Sequence, residues 1–471
     1  MTMRVTVIGA GPGGYMAAIR AAELGAEVCL VEKEALGGTC LNWGCIPSKV
    51  MVTAARIMRQ INQAKTFGIH LDNPPRMDMA VLQQKQQTVI ATQQKGIESL
   101  IRHHKIHYGK GLGRITGPGQ LTITSKEGED RNVEWDRLIL APGTRPAELP
   151  FLPFDGVHCL SSNDFLRTKT LPSSAIILGA GVVGCEFASI LSGLGSRVTL
   201  VEMADRILPI PGLDASASKL LAREFKKNKT VIHTGKRVVS MEKNHAGIRV
   251  QLETVRNSPA EPEFLEASCL IVCVGRSPQT ENLGLEKLGI QTDAEGYLPV
   301  NDGMETEADG VYAIGDCTGP EKIMLAHVAS MEGRVAAERA MGMKSTMRYD
   351  AVPSAVFTDP ELAFVGLTAD RARALGYNVN TTGVLFRSLG KAHAADSLAG
   401  EAVLISEAAS GRILGCHMVG CHTTELIAEM TLAVNKRLTL KDLAETIHAH
   451  PTLSEICSEA ARKGLGMAVH G

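Results

Sequence analysis

Arg4-Val5-Thr6-Val7-Ile8 is a nearly continuous apolar run, the pattern of a strand covered on both faces. Gly9-Ala10-Gly11-Pro12-Gly13-Gly14 follows, and from Tyr15 to Leu24 apolar positions recur at helical spacing until Gly25 stops them. Glu27-Val28-Cys29-Leu30-Val31-Glu32 then reads as a second buried strand ending in an acid. The series recurs 170 positions later: Ala175 to Leu178 leads into Gly179-Ala180-Gly181-Val182-Val183-Gly184, Gly195 punctuates, and Val198-Thr199-Leu200-Val201 ends at Glu202. Between the copies, Lys49 to Ile101 predicts helices, with the glutamine-rich run Gln83 to Gln94 as a solvated helical face. Ile106 to Arg145 predicts short strands, closing at Leu138-Ile139-Leu140-Ala141-Pro142-Gly143-Thr144. Further strands lead to Cys269-Leu270-Ile271-Val272-Cys273-Val274-Gly275-Arg276 and to Gly310-Val311-Tyr312-Ala313-Ile314-Gly315-Asp316. From about Tyr349 strands and helices alternate in a different style.

Strand, G-x-G-x-x-G, helix, strand and acid form the series of a dinucleotide site. Its glycines let a pyrophosphate sit on the helix N-terminus, and Glu32 or Glu202 can accept from a ribose diol. The expected class is α/β, with two Rossmann-like dinucleotide-binding domains and a C-terminal α+β domain. The segments are 1–147 and 275–348 for the first domain, 148–274 for the second, and 349–471 for the last.

Composition then narrows the field. The 471 residues allow several domains with large cores, and a hydrophobic content of 44% is ordinary for a globular chain. Lys+Arg 49 against Asp+Glu 50 offers no basic field for nucleic acid and no polybasic anchor for a membrane. Ala175 to Leu194 is the longest apolar stretch, but Glu186 and several glycines interrupt it, so no membrane span is expected. The strand pattern starts with no signal-like stretch before it, and eleven scattered cysteines suit a reducing, cytoplasmic compartment. No metal ligand set is expected.

Within that frame Gly37-Gly38-Thr39-Cys40-Leu41-Asn42-Trp43-Gly44-Cys45-Ile46-Pro47-Ser48-Lys49 stands out. Cys40 and Cys45 are five apart, and Pro47 opens a helix-like run from Val50 to Ile61. A sulfur near a helix N-terminus is favoured as thiolate. The pair reads as a redox dithiol or, on spacing alone, as two inert buried cysteines. Beside a dithiol the first site suits a tightly held two-electron carrier, FAD, and the second an exchangeable nicotinamide, NAD. At the other end, His448-Ala449-His450-Pro451-Thr452-Leu453-Ser454-Glu455 lets His450 and Glu455 pair as an oriented general base. Thr452-Leu453-Ser454-Glu455 equally matches a helix capping box, and both readings stay open.

Through the cysteine stretch and the segment His448 to Glu455, the chain resembles the pyridine nucleotide-disulfide oxidoreductases over essentially its whole length. Within them it looks most like those that oxidise a dihydrolipoyl group with NAD+. The resemblance implies that Gly9, Gly11, Gly14 and Glu32 hold the ADP half of FAD, with Gly117 near the adenosine and Asp316 on the ribitol. Lys33, Gly38, Thr39, Lys49, Gly143, Thr144 and the run Met324, Leu325, Ala326 and His327 complete the FAD site. NAD would use Gly179, Gly181, Val182, Val183, Gly184, Glu186, Glu202, Val238 and Gly275. Cys40, Cys45, His450 and Glu455 would be catalytic, with Lys49 and Glu186 as a supporting ion pair. His450 would act in the partner subunit's site, making the working unit a homodimer. Its macromolecular partner would be a lipoylated acyltransferase or a glycine cleavage H-type protein. The rival readings are an NAD(P)H-driven reductase of another small disulfide and a non-catalytic flavin-bearing subunit. Pro142 and Gln279 depart from the family pattern, Pro142 by losing a hydroxyl beside the flavin. Cys416 and Cys421 are expected to pack on strands, and Cys457 to be inert or a third reactive thiol.

Overall fold

The computed structural model describes residues 2–245, 247–255 and 262–467, which separate into two compact units. One unit takes residues up to 50, 80–147 and 275–349. Its main sheet is parallel, in the order Val311–Ala313, Arg137–Leu140, Arg4–Ile8, Glu27–Glu32, His107–Lys110. Val5 and Val7 are fully buried beside Ile8, as the unbroken apolar run requires of a central strand. Helices Pro12–Glu23 and Ala326–Ala340 pack together at a glycine contact, since a Cβ on Gly333 would lie 2.3 Å from the Gly13 carbonyl oxygen. A core of Ile8, Val31, Ile115, Leu121, Ile123, Leu138 and Leu140 joins the sheet to an antiparallel one, Leu112–Gly117, Gln120–Thr124 and Asp130–Glu134. The chain leaves this unit after Ala147 and returns at Gly275, and there the Ala147 N–H donates to the Gly275 carbonyl at 3.0 Å.

The other unit takes residues 51–79, 148–274 and 350 onward. Its parallel sheet runs Val231–Thr234, Arg197–Glu202, Ser174–Leu178, Cys269–Val272, Cys159–Leu160, with an antiparallel sheet of Lys236–Asn244, Gly247–Thr254 and Glu263–Ala267. After residue 350 an antiparallel sheet follows, ordered Ser354–Val356, Glu361–Gly366, Ile413–Gly420, Glu401–Glu407, Val379–Leu385. Helices Thr423–Lys436 and Glu455–Gly464 pack on that sheet, and Leu440–Glu445 packs on the latter helix. Phe386, Met418, Met430 and Ile456 share the core between them. The α/β class with a C-terminal α+β part is therefore as expected. Among the described residues no helix is long and apolar enough to cross a membrane.

Three local readings are corrected. The first helix starts at Pro12 rather than Tyr15, with Gly11 as its N-cap, where the amide that proline lacks would be unpaired anyway. The glutamine run is not a purely solvated face: Gln86 is 3% exposed, because Leu82, Gln86 and Ile90 recur every fourth residue on one buried stripe of helix Met79–His103. Cys416 lies on the strand Ile413–Gly420, but Cys421 sits one residue past its end and is half-buried.

Candidate functional site

Two short-spaced helices carry the cysteines. Gly38–Trp43 holds Cys40, and Cys45–Gln63 begins on Cys45 itself. Gly44 makes the break between them, with φ −142° and ψ −112°, and a Cβ there would lie 2.9 Å from the Thr39 carbonyl oxygen. Gly38 has φ +55°, and a Cβ on it would lie 2.7 Å from Gly11 Cα. The cysteine helix therefore starts in contact with the first glycine-rich turn, and Gly37 N–H donates to the Ala10 carbonyl at 2.8 Å. Cys40 and Cys45 are both half-buried. A hydrogen bond with Cys45, burial and the charge of Cys45 push the Cys40 thiol well up, against the opposing pull of Lys49. Two adjacent sulfurs do not both ionise, and the helix N-terminus favours Cys45 as the charged one. Asn42 Nδ2 ties the short helix to the Leu36 and Gly38 carbonyls at 3.0 and 2.8 Å. Gln94 Nε2 donates to Asn42 Oδ1 at 2.6 Å, and the buried Gln86 donates to the Pro47 carbonyl at 2.9 Å.

The two glycine-rich turns match atom for atom. Gly9 and Gly179 have φ +98° and +96°. A Cβ on Gly14 would lie 1.8 Å from Gly9 O, and one on Gly184 would lie 1.9 Å from Gly179 O. At Gly11 and Gly181, by contrast, a Cβ would meet only open space. Both are helix N-caps with no capping side chain to offer, which leaves first-turn amides for an anion. Glu32 accepts from Ala10 N–H at 2.8 Å and Glu34 N–H at 2.7 Å; Glu202 accepts from Ala180 N–H at 2.7 Å and Ala204 N–H at 2.8 Å. Each carboxylate is thus fixed beside its turn with lone pairs left for a diol. Burial pushes the Glu32 carboxyl up, against those two amides. Val183, Met203 and Val274 stand exposed in the second unit, an apolar surface suited to a flat ligand. Arg206 turns its guanidinium to the Leu213 carbonyl, at 3.4 and 3.5 Å.

In the first unit a polar knot surrounds Asp316. Thr144 is buried; its hydroxyl donates to Asp316 Oδ2 at 3.1 Å and accepts from Arg276 Nε at 2.6 Å. Burial lowers the Arg276 pKa against the pull of Asp316 and Cys45. Buried Glu332 accepts from Gly315 N–H and from the Tyr349 hydroxyl, both at 2.7 Å, and so fixes the peptide in front of Asp316. The departing residues Pro142 and Gln279 touch: Gln279 Nε2 donates to the Pro142 and Thr144 carbonyls, both at 3.3 Å, while Lys33 Nζ donates to its Oε1 at 2.8 Å. Met324 and Leu325 precede helix Ala326–Ala340, which Ala326 and His327 begin. Gly143 lies in the turn before Thr144 with φ +68°, and Thr39 lies in the Cys40 helix. Gly117 and Val238 are placed as follows. Gly117 is at the hairpin end of Leu112–Gly117, whereas the glycine whose N–H donates to the Glu32 carbonyl is Gly111, about 20 Å along an extended strand. Val238 is a core residue packed with Leu152, Val250 and Leu252, leaving only its backbone for a ligand.

In the second unit Glu186 is buried and accepts from Phe357 N–H at 3.1 Å. His450 is 77% exposed at its side chain, with Nδ1 2.9 Å from Glu455 Oε1. The other oxygen of Glu455 accepts from Thr452 N–H at 2.9 Å. Burial raises the Glu455 carboxyl, but His450 and the Thr452 amide outweigh it and hold it below the usual carboxylate range. Half of the expected capping box is present. Its reciprocal half is missing because the helix starts at Glu455, and the Thr452 hydroxyl turns to the Ala449 carbonyl at 2.7 Å. Cys457 is fully buried, its thiol pushed well above the ordinary value by burial and by Glu429, so it is no third reactive thiol.

The family model of the pyridine nucleotide-disulphide oxidoreductases matches residues 3–333, and that family's dimerisation domain matches residues 352–461. The chain belongs to the pyridine nucleotide-disulphide oxidoreductases. Within this family it is 40% identical to a dihydrolipoyl dehydrogenase of Chlamydia muridarum, covering 98% of this chain and 97% of that one. It is 38% identical to the dihydrolipoyl dehydrogenase of Bacillus subtilis, covering 99% and 98%. Among solved oxidoreductases, LpdA from Mycobacterium tuberculosis superposes with a TM-score of 0.91 at 29% identity, over 98% of this chain and 99% of that one. The flavoprotein disulfide reductase RclA from Escherichia coli shares the fold, with a TM-score of 0.85 at 23% identity over 98% and 99%. Gln86, Gln94, Arg276 and Glu332 bond to the cysteine helices and to the residues around Asp316, and motif reading missed them. Only the glutamines left a signal, their fourfold spacing from Leu82 and Ile90.

Proposed function

We propose that this chain oxidises a protein-bound dihydrolipoyl group to its cyclic disulfide and reduces NAD+ to NADH. The observation that carries the reading is the Cys40–Cys45 pair, held against a dinucleotide turn by the contact between Gly38 and Gly11. FAD fits the first unit, where Gly11, Glu32, Gly111, Thr144 and Asp316 converge on the turn and on the polar knot. NAD fits the second turn, at Gly179, Gly181, Gly184 and Glu202. Bound FAD supplies the two-electron transfer between the cysteine pair and the nicotinamide.

The protein's own groups handle the sulfur and the proton. The Glu455 carboxylate holds the Nδ1–H tautomer of His450, which leaves Nε2 to take a proton from a substrate thiol. The thiolate attacks Cys40 in the oxidised pair, the Cys40–Cys45 bond breaks, and Cys45 leaves as thiolate. The second substrate thiolate then displaces Cys40, closing the substrate disulfide and leaving the reduced pair with two electrons. Asn42, Gln94 and Gln86 keep both cysteine helices in place during this exchange. Lys49 and Glu186 take supporting roles, with residues 148–274 the NAD domain, 1–147 with 275–348 the FAD domain, and 349–471 the dimerisation domain. The working unit is a homodimer in the cytoplasm, with His450 serving the partner subunit's cysteines. Its partner is a lipoylated acyltransferase or a glycine cleavage H-type protein. NADH formation from dihydrolipoamide and NAD+ tests the reading directly. Absence of that turnover in FAD-loaded protein, alongside NADPH-driven reduction of a different disulfide, would overturn it.

A further inference from the structure

The His450 side chain is 77% exposed, and among the described residues its ring is held by a hydrogen bond to Glu455. An exposed general base keeps its aim only if the backbone beneath it is fixed. That backbone runs through residues 446–454, between helices Leu440–Glu445 and Glu455–Gly464. Its inner anchor is His448, whose side chain is 8% exposed. His448 Nε2 lies 2.9 Å from Glu429 Oε1, and Nδ1 lies 3.0 Å from the Thr446 carbonyl oxygen. A carbonyl only accepts, so Nδ1 carries a hydrogen, and a carboxylate asks Nε2 for another.

Glu429 is itself well placed to hold. It stands on helix Thr423–Lys436, whose Ile427, Met430 and Ala433 are buried in the core. Burial and the charge of Glu429 push up the thiol of buried Cys457, in the helix that Glu455 begins. This carboxylate therefore grips the segment before His450 from a helix rooted in the core. We propose that Glu429 is a positioning residue for His450, acting through His448. This rests on the assignment of His450 as the base.

The test uses FAD-loaded full-length dimer carrying Glu429→Gln, which keeps shape and removes charge, with His448→Gln beside it and His450→Gln as the control. Two activities are read: dihydrolipoamide oxidation by NAD+, which needs the base, and ferricyanide reduction by NADH, which does not. Glu429→Gln and His448→Gln should each lower kcat for dihydrolipoamide by roughly ten- to a hundredfold, the scale seen when a partner orienting a functional histidine is lost. Ferricyanide reduction and Tm should stay at the parent values. Parent-like dihydrolipoamide turnover in Glu429→Gln, with His450→Gln inactive, overturns the positioning role and spares the functional reading. Parallel loss of both activities with a lowered Tm overturns it in favour of a purely structural role. A fully active His450→Gln overturns the functional reading and this inference together.

Discussion

At Glu455 one oxygen meets His450 Nδ1 and the other accepts Thr452 N–H, both at 2.9 Å, so aiming the imidazole and closing the helix start are one arrangement. Glu455→Gln should therefore move two readouts. Turnover should fall at least tenfold, within the range a general base contributes. Stability should fall by about 0.5–2 kcal/mol, the cost of a lost cap. The carboxyl sits below its ordinary range when folded, so its stabilisation is full above the ordinary carboxylate pKa, about 4.3. It is lost as pH falls through the folded value. Urea melts of the parent and Glu455→Gln should therefore differ at neutral pH and converge in acid; a constant gap would contradict the assignment. At the cysteines, Cys45→Ser should abolish dihydrolipoamide oxidation while FAD content stays at the parent level. Normal turnover in that variant would remove the redox role. Both cysteines, His450 and Glu455 were legible because chemistry demands those residue types at short spacing. Gln86 and Glu332 were not, because their partners, the Pro47 carbonyl and the Gly315 amide, are backbone groups that leave no mark in side-chain composition.

The strand–turn–helix elements were the most legible of all, since the φ near +97° at Gly9 and Gly179, and the near-contacts at Gly14 and Gly184, tolerate nothing but glycine. Gly184→Ala would set a methyl 1.9 Å from Gly179 O, so it should impair NAD+ use while FAD remains bound; unchanged KM for NAD+ would contradict that. Glu202 is fixed by two amides where a 2′-phosphate would sit, and Arg206 is turned toward Leu213. The ratio of kcat/KM for NAD+ over NADP+ should thus strongly favour NAD+, and Glu202→Ala should narrow it. Equal efficiencies in the parent protein would refute this. Position within an element was harder to read than its existence. Gly111 and Gly117 flank one strand, and the parallel pairing of Glu32 with Lys110 is what brings Gly111 beside Glu32. Val238 is core for a similar reason, since hairpin register decides which face it takes.

At the scale of the whole molecule the dimer carries the sharpest test. His450→Gln and Cys45→Ser should each be nearly inactive as homodimers. If His450 serves the partner's cysteines, a mixed dimer holds one site lacking both groups and one intact site, so about half the active sites recover. If it served its own chain, no mixed dimer would work, and absence of activity in verified heterodimers would refute the shared site. The Ala147–Gly275 hydrogen bond bears on how the chain can pass between its units. The polypeptide departs from the first unit and comes back through a doorway one peptide wide, so the two ends of that unit are neighbours on either side of the excursion. A long detour thus leaves the first unit no slack to gather in: its sheet closes as if the strand before and the strand after were consecutive.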